Sequence, residues 1–359
     1  MAITLDDCEK VLNYMSSDEG HKKCGFELKV VDVEKVSGGL ANYVYRLVFE
    51  DKSTAIFKHY SNQLKAISEA QFSPKRYFIE KSALKILGEE ESLKECRIST
   101  PKLLYADDDM YIIIMQDCGR SLVTLSDFLK KDYELPESMR NGKSNEEQNQ
   151  LIDDMIDLTA KEIRNFLIKL ATEVSIRPET HQDPFSNEPF WDGATHAFGT
   201  WLPAMIKGFE LEKEFDQIMT GFDGNIRPPP GDLQFVHGDF WPNSMLLDLE
   251  KRTIWLLDWE MSRFDTKSKD LSQMCMFLWI FKRTPAVFDT ARSARLLKRL
   301  HLEYYGDENA DWLEKSEPLV KRFFPIGVMF LMAWKDQFGW DLKNPRENIL
   351  EAIVKSQTP

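Results

Sequence analysis

Two acidic residues in the second half of the chain form its most informative chemical pattern. Residues 235–260 read FVHGDFWPNSMLLDLEKRTIWLLDWE, which places Asp239 and Asp258 each after a short apolar run. Metal-assisted phosphoryl transfer uses two such carboxylates, because one orients the attacking hydroxyl and the other holds Mg²⁺ against the phosphates. Positioning and charge neutralisation then carry the rate. The spacing therefore indicates a candidate phosphoryl-transfer site.

A β-hairpin is the element expected to bring the two acids together. The apolar runs predict short strands over Met245–Leu247 and Ile254–Leu257, joined by the charged turn Glu250–Arg252. We expect Asp239 and Asp258 to lie on the same edge of this hairpin, at the ends of paired strands.

The first third of the chain is predicted to form a small antiparallel sheet that carries one helix. Helical spacing of apolar residues over Arg76–Leu87, followed by Gly88 as a stop, indicates the helix. Alternating apolar and polar residues or short apolar runs indicate strands at Phe26–Val36, Tyr43–Phe49, Thr54–Tyr60, Lys102–Tyr105 and Tyr111–Met115. The turn SGGLA over residues 37–41 either closes an ordinary hairpin or lets the backbone approach a ligand closely.

The remainder is predicted to be mainly helical, so the fold class is α+β. Apolar residues recur every three to four positions over Leu151–Val174, which is typical of a long amphipathic helix. Further helices are predicted at Ala291–Tyr305, Leu319–Trp334 and Arg346–Lys355. Residues 131–150 are polar and nearly free of apolar side chains, so we expect a surface insertion there, with disorder as one alternative.

Composition and charge exclude several classes of function. The 359 residues carry a formal net charge of −13, which nucleic-acid backbones repel, so no nucleic-acid partner is expected. The longest apolar stretches, Met274–Phe281 and Phe323–Trp334, are shorter than the roughly 20 residues that cross a bilayer, so no membrane partner is expected. Five scattered cysteines and a polar N-terminus favour reduced thiols and a cytoplasmic location.

These motifs resemble the aminoglycoside phosphotransferase / choline kinase-like family. VHGDFWPNSMLLD followed by WLLDWE is similar to its catalytic and metal-binding segments, and the other parts occur in the expected order between residues 30 and 285. The resemblance implies a two-lobed, protein-kinase-like fold with a small antiparallel sheet and one helix in the N-terminal lobe. It assigns residues 1–115 to that nucleotide-binding lobe, 116–119 to a hinge, and 120–359 to a larger, mainly helical catalytic and substrate-binding lobe.

The resemblance also implies a function and assigns roles to residues. It implies ATP- and Mg²⁺-dependent phosphorylation of a small-molecule hydroxyl, with Asp239 as the catalytic base and Asp258 as an Mg²⁺ ligand. His237 would pack the catalytic loop, Asp270 would cap the next helix and brace that loop, and Glu260 is either a further metal-site acid or a surface acid. The ATP-binding residues that it implies are Gly38, Gly39 and Asn42 of a nucleotide-covering loop, Lys58 with its helix partner Glu80, and the hinge residues Met115, Gln116 and Asp117.

One position departs from the family pattern. The family places an asparagine five residues after the catalytic aspartate as a second Mg²⁺ ligand, whereas Ser244 occupies that position here and Asn243 precedes it. A hydroxyl can ligate Mg²⁺, so either residue can complete the metal site, and position favours Ser244. The same departure keeps a second hypothesis open, namely a nucleotide-binding pseudokinase with impaired catalysis.

The residues leave the phosphate acceptor and the oligomeric state open. Aromatic walls with nearby acids suit an amine through cation–π contacts, and core packing is the other interpretation of each tryptophan. The candidates for such a wall are Trp201, Trp241, Trp334 and Trp340. GGLANYVYRL followed by IFKHY also resembles methylthioribose kinases and uncharacterised fungal-type members. Aminoglycosides, choline or ethanolamine, methylthioribose, amino sugars and amino acids all remain candidate acceptors.

Overall fold

A computed structural model describes most of the chain. The described residues are 5–17, 24–36, 41–65, 67–219, 227–228, 231, 233–333, 335–338, 340–341 and 343–357. Gly38 and Gly39 of the predicted nucleotide-covering loop, and Trp334 of the predicted acceptor wall, lie outside these residues.

The described residues form strands and helices in an α+β arrangement, which confirms the predicted fold class. The strands are β1 (Val30–Lys35), β2 (Tyr43–Phe49), β3 (Thr54–His59), β4 (Gln63–Leu64), β5 (Ile67–Gln71), β6 (Ile98–Ser99), β7 (Leu103–Asp107), β8 (Ile112–Gln116), β9 (Val123–Thr124), β10 (Gln234–Val236), β11 (Met245–Asp248), β12 (Thr253–Leu256) and β13 (Arg263–Asp265). The helices are α1 (Cys8–Ser16), α2 (Arg76–Glu89), α3 (Leu125–Phe128), α4 (Glu137–Arg140), α5 (Asn145–Thr172), α6 (Pro178–Phe185), α7 (Glu188–His196), α8 (Leu202–Gly208), α9 (Glu212–Met219), α10 (Lys269–Phe281), α11 (Thr290–Tyr305), α12 (Pro318–Ala333) and α13 (Pro345–Ser356).

Strand β3 of the N-terminal sheet is covered on both faces. Its order is β1-β2-β3-β8-β7, and every neighbouring pair is antiparallel. Phe57 of β3 packs into a core shared with α1, whereas Ile56 and Tyr60 pack into the core that contains α2. Since successive side chains of a strand point to opposite faces, Lys58 lies on the α2 side. Burial of both faces explains why the residues around Lys58 lack a polar and apolar alternation.

Helix α2 carries two buried charged residues on the face that meets the sheet. Arg76 and Glu80, one helical turn apart, are 0% and 1% exposed. The helix ends at Glu89, two residues beyond the predicted end, so Gly88 does not stop it. A buried charge requires a partner, and these two side chains become central to the candidate site.

The polar segment over residues 131–150 is ordered and contains helix. It holds α4 and the first turns of α5, which begins at Asn145 rather than at the predicted Leu151. Ser144 caps α5, and Glu147 completes a capping box with it. The first turns of α5 are exposed and have no apolar stripe, so hydrophobic periodicity could not locate the start of the helix.

The prediction that Asp239 ends a strand of the β11–β12 hairpin is wrong, although Asp239 and Asp258 do lie toward the same end of the hairpin. Strands β11 and β12 do form an antiparallel hairpin, with Met245 opposite Leu256, and Asp258 follows β12. Asp239 instead follows β10, which pairs with β13 in a separate two-stranded sheet. A local apolar pattern locates strands but does not show which distant strands pair. The pattern therefore could not predict that β10 pairs with β13.

Two further expectations concern membranes and thiols. None of the helices in the described part of the chain combines the length and the apolar character that crossing a bilayer requires. All five cysteines lie in described residues and form no disulfide with one another. The lobe boundaries at residues 115 and 120 stay predictions.

Candidate active site

Lys58 joins two acids from opposite parts of the chain. Its ammonium donates to the Glu80 carboxylate at 2.8 Å and to the Asp258 carboxylate at 2.7 Å. Lys58 and Glu80 are almost fully buried, whereas 46% of the Asp258 side chain stays exposed. The buried lysine therefore connects strand β3 to an accessible carboxylate.

Opposite charges keep Lys58 and Asp258 ionised, whereas burial raises the pKa of Glu80 to about 7 against the effect of Lys58. Burial alone would lower the pKa of Lys58, but Asp258 and Glu80 outweigh it and raise the pKa above its ordinary value. Burial also opposes ionisation of Asp258, yet Lys58 holds the pKa of that carboxyl below its usual range. Asp258 is consequently an anion at neutral pH, as a ligand for a divalent cation must be.

Asp258 has an uncommon backbone conformation that its neighbour stabilises. Its φ of 62° and ψ of 58° lie in the left-handed region, which non-glycine residues rarely adopt. Such strain persists only where the surroundings hold it and is often found at functional sites. The next residue, Trp259, is fully buried, stacks on Phe235 at 6.2 Å and donates its indole N–H to the Leu256 carbonyl at 3.2 Å.

Glu260 is a buried acid held by a second cation. Its carboxylate accepts from Arg76 Nε at 3.1 Å and from the Asn42 side-chain amide at 2.8 Å. Arg76 also donates to the Asn42 amide oxygen at 2.7 Å. Both ends of the Asn42 amide thus have protein partners, and the buried Glu260 is not a surface acid.

Arg76 and Asn42 link Glu260, two residues after the candidate metal ligand Asp258, to the loop predicted to cover the nucleotide. Asn42 is the last residue of the loop predicted to cover the nucleotide, and Arg76 also contacts the Ala41 carbonyl at 3.4 Å. Sequence reasoning missed Arg76. Its position one turn before Glu80 on the same helix face was the available signal, because both residues belong to the buried stripe of α2.

The loop that carries Asp239 is fixed through its backbone. The Asp270 carboxylate accepts from the His237 N–H at 2.8 Å and from the Gly238 N–H at 2.9 Å. Asp270 therefore braces this loop, as the sequence predicts, although Ser268 rather than Asp270 is the N-cap residue of α10.

His237 is a structural part of the same loop. Its Nε2 lies 2.7 Å from the Leu257 carbonyl, and its Nδ1 accepts from the Asp239 N–H at 3.2 Å. Because a carbonyl only accepts and an N–H only donates, the ring is neutral with its proton on Nε2. Burial lowers the pKa of His237. With both nitrogens engaged, the imidazole has no free position for proton transfer.

Contacts around Leu257 bring the two acids near each other. The Leu257 carbonyl binds His237, and the Leu257 N–H donates to the Ser244 carbonyl at 2.8 Å. The Asp239 carboxylate is half-buried, and its Oδ1 accepts from Gln273 at 2.9 Å. Burial raises the pKa of Asp239, and the negative charge of Asp258 adds to that rise. Asp239 and Asp258 therefore form one electrostatic unit, in which the charge of Asp258 affects the pKa of Asp239, although separate sheets carry them.

The two candidates for the second metal ligand are placed differently. The Ser244 hydroxyl is fully buried, donates to the Trp241 carbonyl at 2.8 Å and accepts from the Trp241 N–H at 3.2 Å. Asn243 is half-buried, and its side chain makes no hydrogen bond to the described residues. Ser244 therefore closes the loop turn, whereas the Asn243 amide is available.

The predicted hinge residues engage their neighbours. Met115 packs into the core, and Gln116 accepts from the Lys102 N–H at 3.3 Å through its side-chain oxygen. The Asp117 carboxylate accepts from Arg46 and from the Thr54 hydroxyl, the latter at 2.8 Å. Burial opposes ionisation of Asp117, but Arg46 holds its pKa below the ordinary value.

The described tryptophans of the predicted acceptor wall lie in different surroundings. Trp241, half-buried, has its ring 4.7 Å from that of Phe277. Trp340 is 4% exposed and packs in the aromatic core against Phe281, while Trp201 lies beside His196. Of these three, Trp241 is closest in sequence to Asp239.

Two glycines with similar φ angles provide a test of the loop geometry. A Cβ added to Gly238 (φ +83°) would lie 2.2 Å from the Met261 carbonyl oxygen, whereas one added to Gly142 (φ +77°) would meet nothing within 4 Å. Gly238→Ala should therefore cost roughly 2–6 kcal/mol from strain and overlap together, against about 1–2 kcal/mol for Gly142→Ala. Urea unfolding measures both, and equal losses would contradict the close approach at Gly238.

The buried Arg76–Glu260 pair leads to a second prediction. Glu260→Ala leaves the Arg76 charge buried without its carboxylate, so we expect a loss of about 3–5 kcal/mol in the free energy of unfolding. Glu91→Ala is the control, because the Glu91 side chain is 81% exposed and its ion pair should contribute little. If urea unfolding gave the same small change for both variants, Glu260 would not neutralise Arg76.

Comparisons with known proteins agree with this geometry. A model of the phosphotransferase enzyme family matches residues 32–308. The chain is 21% identical over 385 aligned residues to a 4-hydroxytryptamine kinase from Psilocybe cyanescens, with 99% of this chain and 93% of that protein covered.

Solved structures extend the similarity to the fold. The streptomycin–ATP–APH(2")-IIa ternary complex has a TM-score of 0.51 at 13% identity, covering 95% of this chain and 98% of the other. Amicoumacin kinase hAmiN in complex with AMP-PNP, Ca²⁺ and Ami has a TM-score of 0.50 at 12% identity, covering 97% and 95%. These similarities confirm the predicted kinase-like fold. Since the family model spans well over half of the chain, and its match includes both candidate acids and the lysine that binds one of them, this protein belongs to the phosphotransferase enzyme family.

Proposed function

We propose that this protein is a small-molecule kinase that uses ATP and Mg²⁺ to phosphorylate a hydroxyl group. The observation that carries the proposal is the contact of buried Lys58 with the accessible carboxylate of Asp258, within the same electrostatic unit as Asp239. A cation, a candidate metal ligand and a candidate base are the parts that phosphoryl transfer requires. The kinases that resemble this chain support the same reaction class.

ATP is the proposed phosphoryl donor. Lys58 would contact its phosphates, because Glu80 and Asp258 keep the ammonium charged and hold it beside the accessible carboxylate of Asp258. The backbone at Asp117, just past β8, would bind adenine, because the Gln116 N–H donates to the Lys102 carbonyl and the Asp117 carboxylate is already used by Arg46 and Thr54. Two proteins with this fold form complexes with ATP and AMP-PNP, which supports the assignment. Gly38 and Gly39 remain predicted contributors.

The donor atoms at the site fit Mg²⁺. The described residues contain no cluster of three or more His, Cys, Asp or Glu side chains that could hold a metal. Mg²⁺ is commonly bound by one or two carboxylates together with substrate phosphates and waters, so Asp258 and the available Asn243 amide form a sufficient oxygen set. We favour Asn243 over Ser244 because the Ser244 hydroxyl is committed to Trp241. When bound, the ion would neutralise charge that develops on the transferring phosphoryl group.

Asp239 is the proposed base. Its ionised carboxylate would accept the proton of the acceptor hydroxyl as the oxygen attacks the γ-phosphorus, and ADP would leave. Asp239 must be deprotonated to act, so activity should fall as the pH drops through its raised pKa. His237 keeps the loop in place and transfers no proton.

The acceptor is proposed at the level of chemical class. One relative is a 4-hydroxytryptamine kinase, and 4-hydroxytryptamine is an alkyl amine that carries a hydroxyl on its aromatic ring. The half-buried Trp241 beside Phe277 offers an aromatic surface in the same loop as Asp239. Hydroxylated amines are thus the first acceptors to test, with 4-hydroxytryptamine, choline, ethanolamine, methylthioribose and an aminoglycoside as the panel.

Substitutions of Asp239 and Asp258 should affect catalysis and metal binding separately. Asp239→Asn should lower kcat by about 10²–10⁴-fold while ATP binding persists, because only the base is lost. Asp258→Asn should abolish the Mg²⁺ dependence of ATP binding. ADP release and isothermal titration with and without Mg²⁺ measure the two effects, and Asp132→Asn on the exposed surface is the control. Wild-type protein that bound ATP but turned over no acceptor would favour the pseudokinase alternative.

The second metal ligand can be tested at neighbouring positions. Asn243→Ala should raise the Mg²⁺ concentration needed for half-maximal activity, because it removes an oxygen donor. Ser244→Ala should lower stability by about 1–3 kcal/mol, since it removes a hydroxyl that bonds twice to the buried loop turn, and should leave Mg²⁺ dependence unchanged. Magnesium titrations of activity and urea unfolding separate the variants, and the reverse pattern would restore Ser244 as the ligand.

A further inference from the structure

Helix α10 presents a chain of polar contacts to Asp239. The Lys269 ammonium donates to the Gln273 side-chain oxygen at 2.8 Å, and the Gln273 side-chain N–H donates to Asp239 Oδ1 at 2.9 Å. Lys269 and Gln273 are four residues apart, so they occupy the same face of the helix. Asp239 thus has a side-chain partner on α10, and Asp270 of the same helix binds the backbone N–H groups of the two residues before it.

The donor and acceptor groups on either side fix the orientation of the Gln273 amide. An ammonium can only donate and an ionised carboxylate can only accept. The Gln273 amide must therefore turn its oxygen to Lys269 and its nitrogen to Asp239, and rotation of the amide by 180° would break both hydrogen bonds. The other oxygen of the Asp239 carboxylate, Oδ2, accepts no hydrogen bond from the described residues, which leaves it for the acceptor hydroxyl.

We propose that Gln273, oriented by Lys269, is a positioning residue that holds the Asp239 carboxylate in its reactive rotamer and favours its ionised state. The proposal rests on the function proposed above. It assigns α10 two tasks: Asp270 fixes the loop backbone, while Gln273 fixes the reactive side chain. Asp270 accepts N–H bonds from the loop, and Gln273 supplies the N–H that the base needs.

The charged groups around Asp239 show why such a donor matters. Burial and the Asp258 charge both disfavour the ionised carboxylate, whereas the Gln273 hydrogen bond and the Lys269 charge favour it, and His237 faces it as a neutral ring. Lys269 itself faces Arg263, Asp265, Asp270 and Asp239. Loss of the Gln273 donor removes a hydrogen bond to the charged form, so the pKa of Asp239 should rise further. The acidic limb of the kcat profile should then move to higher pH.

The experiment compares the pH dependence of kcat in four variants with that of the wild type. Gln273→Met keeps the length of the side chain but cannot donate, and we expect its acidic limb to move up by roughly one pH unit with a several-fold lower plateau. Gln273→Glu should move the limb further, since it places a second carboxylate beside Asp239. Lys269→Met should shift the limb in the same direction by less. Lys282→Met, about 20 Å along the same helix, is the matched control and should not shift it.

A readout without turnover separates this proposal from the proposed function. The Asp239 carboxyl titration can be followed by ¹³C NMR and assigned with Asp239→Asn, whether or not an acceptor is known. A raised pKa in Gln273→Met, with folding intact by urea unfolding, supports the positioning role even if no acceptor is turned over. An unchanged Asp239 titration in Gln273→Met and Gln273→Glu would overturn the proposal while leaving the kinase assignment in place.

Discussion

Two buried cations determine how the candidate site is assembled. Lys58 and Arg76 are 3% and 0% exposed, and each contacts one acid of the segment Asp258-Trp259-Glu260. A buried charge that loses its partner destabilises a protein by several kcal/mol. Among the described residues Arg76 has no carboxylate partner besides Glu260, so its burial requires this segment to lie against α2. Lys58 is paired with Glu80 as well, and Asp258 supplies its second carboxylate. This position of the segment places the exposed oxygen of Asp258 beside the lysine proposed to bind phosphate.

The candidate site is made rigid by packing and backbone hydrogen bonds as well as by the charges. Trp259 separates the two acids and is fixed in the core by Phe235, so Asp258 and Glu260 point to different cations. On the other side, Asp270 holds the loop of Asp239 through two backbone N–H groups. Preorganised groups of this kind need little rearrangement during reaction, and electrostatic catalysis depends on that. The catalytic proposals thus rest on contacts that also contribute to folding.

The elements were predictable wherever one apolar stripe or one alternating strand dominated a segment. β2 was placed at its observed bounds for this reason, and the fold class followed. Prediction failed elsewhere for identifiable causes. Helix α5 begins six residues before its predicted start because its first turns carry no apolar stripe, and β10 pairs with β13 rather than with the hairpin. The strand pairing is not contained in any local pattern, whereas the Ser144–Glu147 capping box is a local signal for the start of α5.

The sequence by itself determined which residue types could do chemistry, in which order they occur, and which family they resemble, because motif spacing and hydrophobic periodicity are local properties. Only the tertiary structure decided that Lys58 meets Asp258 across 200 residues, that Arg76 neutralises Glu260, and that Gln273 donates to Asp239. Those contacts arise from the burial of charged side chains between distant elements. Their partners are selected by the packing of the whole chain, which no local pattern encodes.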